Sequence, residues 1–363
     1  MPDRAIHRCV LDQDTPDNST LPRPDFRSDT VTLPDDSMRE AMAGAVVGDD
    51  GYGDDVSVNQ LEESLAQRLG MDRAVFFPTG TQSNLAAILS HCQRGDAILV
   101  GENYHTYATE CGGASALGGV AYCPLPVADD GGLDPEQITM MMQTASHNAP
   151  RPALLCLENT HAGQAVALER IQAAASTARS HGLAVHLDGA RLFNAALELG
   201  ADVAAMAKPA DTVSVCLSKG LGAPAGTILC CPESAELQIR RLRKMLGGGM
   251  RQSGVLAAAG LHALAHNVDR LLDDHHRARI LADRLMADLV EKDVVISQRT
   301  NMVFFRPAPD DHGPLCHALL AAGLRVNRRT PTLRFVIHLD IDDDAINALA
   351  GAIRDHYREI RPR

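Results

Sequence analysis

The chain has no tryptophan, and only seven phenylalanines and five tyrosines are spread through its 363 residues. An aromatic-rich core is therefore excluded, and the interior must be built from Ala, Leu, Val and Ile. With 45% hydrophobic residues there is enough apolar material for two domains. Basic residues are outnumbered, and the net charge of −12 excludes a generic nucleic-acid binder with a basic face. One basic run, Arg240-Arg241-Leu242-Arg243-Lys244, stands against that background and reads as a solvated helix face. The nine cysteines form no CxxC pair and no cluster with histidine, so no metal site is expected. Most of them, including Cys156, Cys216, Cys230 and Cys231, sit in apolar segments as small hydrophobes, which points to a reducing compartment. The acidic pairs Asp49-Asp50 and Asp54-Asp55 read as solvated loops. No apolar run reaches 18 residues, and none of signal-peptide length opens the chain. The expectation is a soluble cytoplasmic protein with neither a membrane nor a nucleic-acid partner.

Three regions follow from the patterning. Residues 1–25 are polar and rich in Pro and Asp and read as a flexible extension. Residues 26–270 hold the short, almost continuous apolar runs of a large domain. Among them are Ala74–Phe77, Ala97–Val100, Ala153–Leu157, Leu183–Leu187, Thr212–Leu217 and Thr227–Cys230. Such runs suit strands buried on both faces, and their alternation with helical patterns implies an α/β fold with a mostly parallel sheet. Residues 271–363 form a smaller α+β domain. In and before it we expect a long helix over Val255–Leu272, a charged helix through Leu289, and strands at Met302–Phe305, Leu324–Val326 and Leu333–Ile337. A last helix would carry Ile346, Leu349, Ile353 and Tyr357 on one face, with Asp342 as its N-cap.

In an open parallel sheet, ligands bind beyond the carboxyl ends of the strands. After Phe77 comes Pro78-Thr79-Gly80-Thr81 and then a helix, a turn suited to a phosphate or to an ordinary cap. After Leu187 comes Asp188-Gly189-Ala190-Arg191, where the acid is either structural or a partner for a buried heterocyclic nitrogen. Gly189 would permit its close approach. After Leu217 comes Ser218-Lys219-Gly220, a lysine placed for burial and Schiff-base chemistry rather than for a solvated surface. A phosphate turn, a strand-end Asp and a strand-end Lys together suit pyridoxal 5′-phosphate. A nicotinamide site would want a GxGxxG turn after a strand, which is absent.

Seven segments in order from about residue 26 carry a family resemblance: Phe26–Thr32, Val47–Asp55, Phe77–Gln82, Leu157–His161, His186–Arg191, Leu217–Gly222 and Lys244–Gln252. The sequence resembles the low-specificity L-threonine aldolases, within the β-eliminating lyases of aspartate-aminotransferase-like fold. The resemblance implies pyridoxal 5′-phosphate, a large domain with a mostly parallel sheet and a small C-terminal α+β domain. It implies a homotetramer, a dimer of dimers with active sites at subunit boundaries. Lys219 resembles the Schiff-base lysine, Asp188 the partner of the pyridinium nitrogen, and Gly80 and Thr81 the phosphate turn. Lys244 and Arg251 match basic residues that approach the phosphate from a neighbouring subunit, and His105 matches the histidine stacked on the ring. Ser28, Arg191 and Arg334 match the clamp for the substrate carboxylate. Tyr52 and His161 match residues near the β-hydroxyl.

The implied reaction is retro-aldol cleavage of L-threonine, L-allo-threonine and relatives such as phenylserine to glycine and an aldehyde. The base that takes the β-hydroxyl proton is His105, His161 or a water between them. Elimination, racemisation or transamination on the same cofactor is the rival enzyme reading, and a non-catalytic scaffold on this fold is the rival from another class. Arg328 and Arg329, near the clamp, read as loop residues that would otherwise compete with Arg334.

Overall fold

A computed structural model describes residues 24–144 and 146–359. The larger sheet has seven strands: β1 (Arg73–Phe77), β2 (Asp96–Gly101), β3 (Ala121–Leu125), β4 (Arg151–Glu158), β5 (Ala184–Asp188), β6 (Thr212–Cys216) and β7 (Thr227–Cys231). Their spatial order is β1-β7-β6-β5-β4-β2-β3. Every residue of β2, β6 and β7 is buried, as continuous apolar runs require of strands covered on both faces.

One strand breaks the parallel pattern. β7 pairs antiparallel with both β6 and β1. Its connection from β6 spans only residues 217–226, too short for the helical crossover that a parallel neighbour needs. The chain therefore doubles back, and the returning loop carries Lys219. Because β1 is antiparallel to β7, it points the same way as β2 to β6. The carboxyl ends of β1, β2, β4, β5 and β6 thus open on one edge, and the candidate residues lie just beyond them.

The second sheet is antiparallel, β8 (Val295–Arg299), β9 (Met302–Arg306) and β10 (Leu333–Val336), in the order β10-β9-β8. It shares a core with the helices Leu271–Asp288 and Asp343–Glu359. The last helix buries Ile346, Leu349, Ile353 and Tyr357, and the Asp342 carboxylate takes the Ala345 N–H at 2.8 Å as the cap.

Three details differ from expectation. The long helix over Val255–Leu272 is two helices, Gly254–His266 and Leu271–Asp288. Asn267, a poor helix former, lies in the break and donates its side-chain amide to the Leu221 carbonyl at 2.9 Å, bracing the loop of Lys219. Leu324–Val326 is no regular strand: Arg325 forms an isolated bridge with Asp25. Residues 1–23 of the expected extension lie outside the described residues, whereas Pro24 and Asp25 are tied down by that bridge. Phe26 follows, fully buried in the core of the smaller sheet, and its carbonyl accepts the Val336 N–H at 3.0 Å. The segment leading into Ser28 is thereby anchored to the C-terminal part of the chain.

Phe26→Ala should cost about 3–5 kcal/mol, the usual loss for deleting a buried aromatic side chain. Urea unfolding measures this. A loss below about 1 kcal/mol, typical of a surface position, would show that the segment is not part of that core.

Candidate active site

A cavity of about 280 Å³ opens at the shared strand edge, lined by Thr79, Gly80, Thr81, His105, Asp188 and Lys219 among others. Gly80 and Thr81 begin the helix Gly80–His91, whose N-cap Thr79 accepts the Gln82 N–H through its hydroxyl. That helix end directs free N–H groups and the positive end of its dipole at the cavity. Lys219 approaches from the β6–β7 loop, where its carbonyl accepts the Thr32 hydroxyl at 2.9 Å. Gly189 serves a purpose other than the expected one. A Cβ there would stand 2.9 Å from the Ser214 carbonyl, so glycine admits the neighbouring strand rather than a ligand.

Asp188 is only 3% exposed, and both its oxygens are engaged. Oδ1 accepts the Ala190 N–H at 3.0 Å, and Oδ2 accepts the Asn84 side-chain amide at 2.8 Å. The same amide nitrogen donates to Glu110 Oε1 at 2.9 Å, bridging two buried carboxylates. Burial pushes the Glu110 carboxyl up, and the neighbouring Asp188 adds to that. Glu110 in turn holds His105 Nδ1 at 2.8 Å, and this hydrogen bond lifts the imidazole above its ordinary range. Behind Asn84 stands His186, fully buried, whose Nε2 lies 3.2 Å from the Asn84 carbonyl oxygen. Burial pushes His186 down to about 4, so it is neutral at physiological pH. A neutral ring that donates from Nε2 fixes the Asn84 amide with its NH2 toward the acids. Its Nδ1 is then the acceptor for the Thr212 hydroxyl at 2.9 Å.

The expected carboxylate clamp shows a feature that the sequence reading missed. Arg191 makes a two-point ion pair with Asp29, Nε to Oδ2 at 2.7 Å and Nη2 to Oδ1 at 2.6 Å. Asp29 is fully buried. Burial opposes its charge, but the guanidinium outweighs that and holds the carboxyl well below the usual carboxylate range. A guanidinium has two edges that can meet a carboxylate bidentately. Asp29 occupies the Nε–Nη2 edge, leaving the Nη1–Nη2 edge for another anion. Arg334, on β10, brings a second guanidinium close enough that burial, and then the charge of Arg191, weaken its hold on its proton. Ser28 lies beside this pair, its hydroxyl accepting the Thr30 N–H.

His161 follows β4, with Nδ1 2.9 Å from Glu158 Oε1 and its ring against Tyr104. Tyr52, Lys244 and Arg251 are not brought to the Lys219 cavity within one chain. They line a separate cavity of about 700 Å³ together with Asp50, Arg240 and Arg243. Two arginines of the basic run, expected on a solvated face, are paired inward instead: Arg240 with Glu62 at 2.6 Å and Arg243 with Asp50 at 2.8 Å. Arg328 and Arg329 lie in the irregular segment before β10. Among the described residues His105, Glu110 and Asp188 are the one trio spaced closely enough to grip a cation. Asn84 and the paired histidine already account for them. Glu110, Asn84, Asp29 and Glu158 contact the expected site residues, and no sequence signal had singled them out.

The residues fit pyridoxal 5′-phosphate. The cavity presents an amine, a buried carboxylate held on two hydrogen bonds, and a helix amino end with hydroxyls. That donor set complements an aldehyde, a protonated ring nitrogen and a phosphate in turn. The family model for β-eliminating lyases matches residues 25–308. The low specificity L-threonine aldolase of Escherichia coli is 41% identical over 339 residues, covering 93% of this chain and 99% of that one. A solved Leishmania major threonine aldolase shares the fold with a TM-score of 0.77 at 20% identity, covering 92% of this chain and 99% of that chain. A serine palmitoyltransferase from S. paucimobilis, solved with bound PLP, superposes at a TM-score of 0.69 with 16% identity, covering 93% and 87%. The α/β architecture expected from the sequence, the aspartate-aminotransferase-like fold, is the one found. No helix among the described residues is long and apolar enough to cross a membrane.

His186 sets a pH signature. Its folded value of about 4 lies below the ordinary 6.5, so between those values the unfolded chain binds more protons and folding stability rises with pH. His186→Gln should remove up to about 3 kcal/mol of the stability change between pH 4 and 6.5. Urea titrations of both proteins across that window measure it. Identical slopes would show that His186 does not titrate at this depressed value.

Proposed function

This chain belongs to the β-eliminating lyase family, alongside the low-specificity L-threonine aldolases, and from that premise we propose that it cleaves L-threonine and L-allo-threonine to glycine and acetaldehyde. Larger β-hydroxy-α-amino acids such as phenylserine fall within the same reading. The observation that carries it is the pairing of the Lys219–Asp188 cavity with a second, cationic site at Arg191 and Arg334.

Pyridoxal 5′-phosphate, when bound, supplies an aldehyde that joins the substrate amine and a ring that accepts the electrons of the broken bond. The protein's residues do the rest. Lys219 is the residue whose Nζ would hold the cofactor's aldehyde. Asp188, kept an acceptor by its two hydrogen bonds, holds a proton on the ring nitrogen. The Thr79–Thr81 turn and the helix end bind the phosphate. The free edge of Arg191, together with Arg334 and Ser28, binds the substrate carboxylate and so decides which bond at Cα faces the ring. On the other side of Cα, His105 and His161 are the groups available to take the β-hydroxyl proton, directly or through a water. After the aldehyde leaves, a proton returned to Cα yields glycine.

The second cavity fits the same reading as part of a neighbour's site. Tyr52 is 82% exposed there, and Met245, next in sequence to the lining residue Lys244, is 76% exposed, large side chains that a partner subunit would cover. We assign the chain to a dimer of dimers in which Lys244, Arg251 and Tyr52 reach across to the neighbour's phosphate and substrate. Cytoplasmic residence belongs to this reading as well, in keeping with cysteines that are unpaired among the described residues.

Incubation of the pyridoxal phosphate-loaded protein with L-threonine should give equimolar glycine and acetaldehyde. Lys219→Ala should lower the rate by at least about 100-fold. Pyruvate or another keto acid in place of acetaldehyde would move the protein to elimination or transfer chemistry, and the absence of any product would favour the scaffold reading.

A further inference from the structure

His105 lines the Lys219 cavity, His161 follows β4, and one carboxylate touches both. Glu158 is the last residue of β4 and lies opposite Asp188 in the register of β4 and β5. Its side chain is largely buried, and each oxygen is committed. Oε1 is 2.9 Å from His161 Nδ1, and Oε2 accepts the backbone N–H of His105 at 2.6 Å. We propose that Glu158 is the positioning residue that makes His105 and His161 a single unit, fixing where both rings stand and which nitrogen of His161 is free. The proposal rests on the retro-aldol reading above.

The chemistry follows from what a carboxylate can do. An ionised carboxylate only accepts, so the nitrogen facing it must carry a proton. His161 therefore holds its proton on Nδ1 and leaves the Nε2 lone pair as its acceptor. Glu110 does the same for His105, whose Nδ1 meets Glu110 Oε1 at 2.8 Å. Both rings are thus set in one tautomer, each with Nε2 as the nitrogen left to act on a substrate. A purely structural role for Glu158, capping the short helix His105–Ala108, would account for its Oε2 contact. It would leave the Oε1 contact to His161 without purpose. Other contacts confirm that the His161 ring is held and not merely passed by: its ring centroid lies 5.1 Å from that of Tyr104, and Tyr104 is pinned through its hydroxyl to the Gly131 carbonyl at 2.8 Å. The backbone of His161 exchanges two hydrogen bonds with Gln164, at 2.9 and 2.7 Å. With neither oxygen spare, Glu158 acts on the substrate only through the two histidines.

Glu158→Gln keeps the size but offers one oxygen and one NH2, so one of the two N–H partners meets a donor. In the loaded enzyme kcat for L-threonine should fall about 100-fold, the cost of a misplaced reacting group. KM should stay near the wild-type value, because the Arg191 clamp is untouched. Nitrogen-15 NMR of histidine-labelled holoenzyme, above the titration range of free histidine, reads the tautomers without relying on turnover. Wild-type His161 should carry its proton on Nδ1, and the variant should lose that preference. An unchanged kcat in Glu158→Gln, or a wild-type His161 protonated on Nε2, would overturn the proposal. The wild-type spectrum decides it even where the variant does not fold. Absence of acetaldehyde from the wild-type enzyme would instead defeat the retro-aldol reading, while the spectrum would still report on Glu158.

Discussion

The site depends first on the buried ion pair of Asp29 and Arg191. Three separate parts of the chain meet there. Asp29 comes from the segment anchored by Phe26 in the smaller core, Arg191 from the loop after β5, and Arg334 from β10. Two guanidinium groups so close, partly shielded from water, repel each other. The buried carboxylate of Asp29 compensates one of them, and removing it would leave a partly buried charge without its partner, a change that costs several kcal/mol in buried pairs. The pair also decides orientation. Holding Arg191 by its Nε edge turns the other edge outward, so the site is cationic and directional before any substrate arrives.

A second constraint works on the opposite wall. Acceptors and donors alternate from Thr212 through His186 and Asn84 to Asp188 and Glu110, and on to His105. Each group in that series fixes the next one's direction. The neutral His186 orients an amide, the amide faces two carboxylates, and one carboxylate sets the tautomer of a histidine at the cavity. Buried networks of this kind stabilise only when fully satisfied, and here the links between the sheet and the cavity are all made. Several elements contribute to it: Asp188 ends β5, Thr212 opens β6, Asn84 lies on the helix Gly80–His91, and Glu110 follows the short helix His105–Ala108.

Much of this was legible in the sequence for a definite reason. Asp188 ends and Lys219 follows a buried, mostly apolar strand, where a charged residue has few structural uses, and the turn at Gly80 precedes a clear helix. Those signals are local, and pattern alone places them. The antiparallel β7 was not legible, because its apolar run looks like its parallel neighbours; only the short loop from β6 marks it. Asp29 sits in a segment read for Ser28, and its partner is 162 residues away. Glu110 and Glu158 act through contacts that the fold creates, and acidic residues near strand and helix ends usually just solvate. The basic run misled for the converse reason: Arg240 and Arg243 look like surface charges until Glu62 and Asp50 come to meet them. Tyr52, Lys244 and Arg251 lie in two of the seven family segments yet stand at another cavity, a separation that sequence order does not reveal.

The most direct test of the central claim is a crystal structure of the protein with pyridoxal phosphate and glycine bound. The glycine carboxylate should lie on the Nη1–Nη2 edge of Arg191, with Arg334 alongside and Asp29 still on the Nε edge. A glycine carboxylate on the Nε edge, with Asp29 displaced, would contradict it: Asp29 would then be a placeholder that substrate expels, not the support on which the clamp is built.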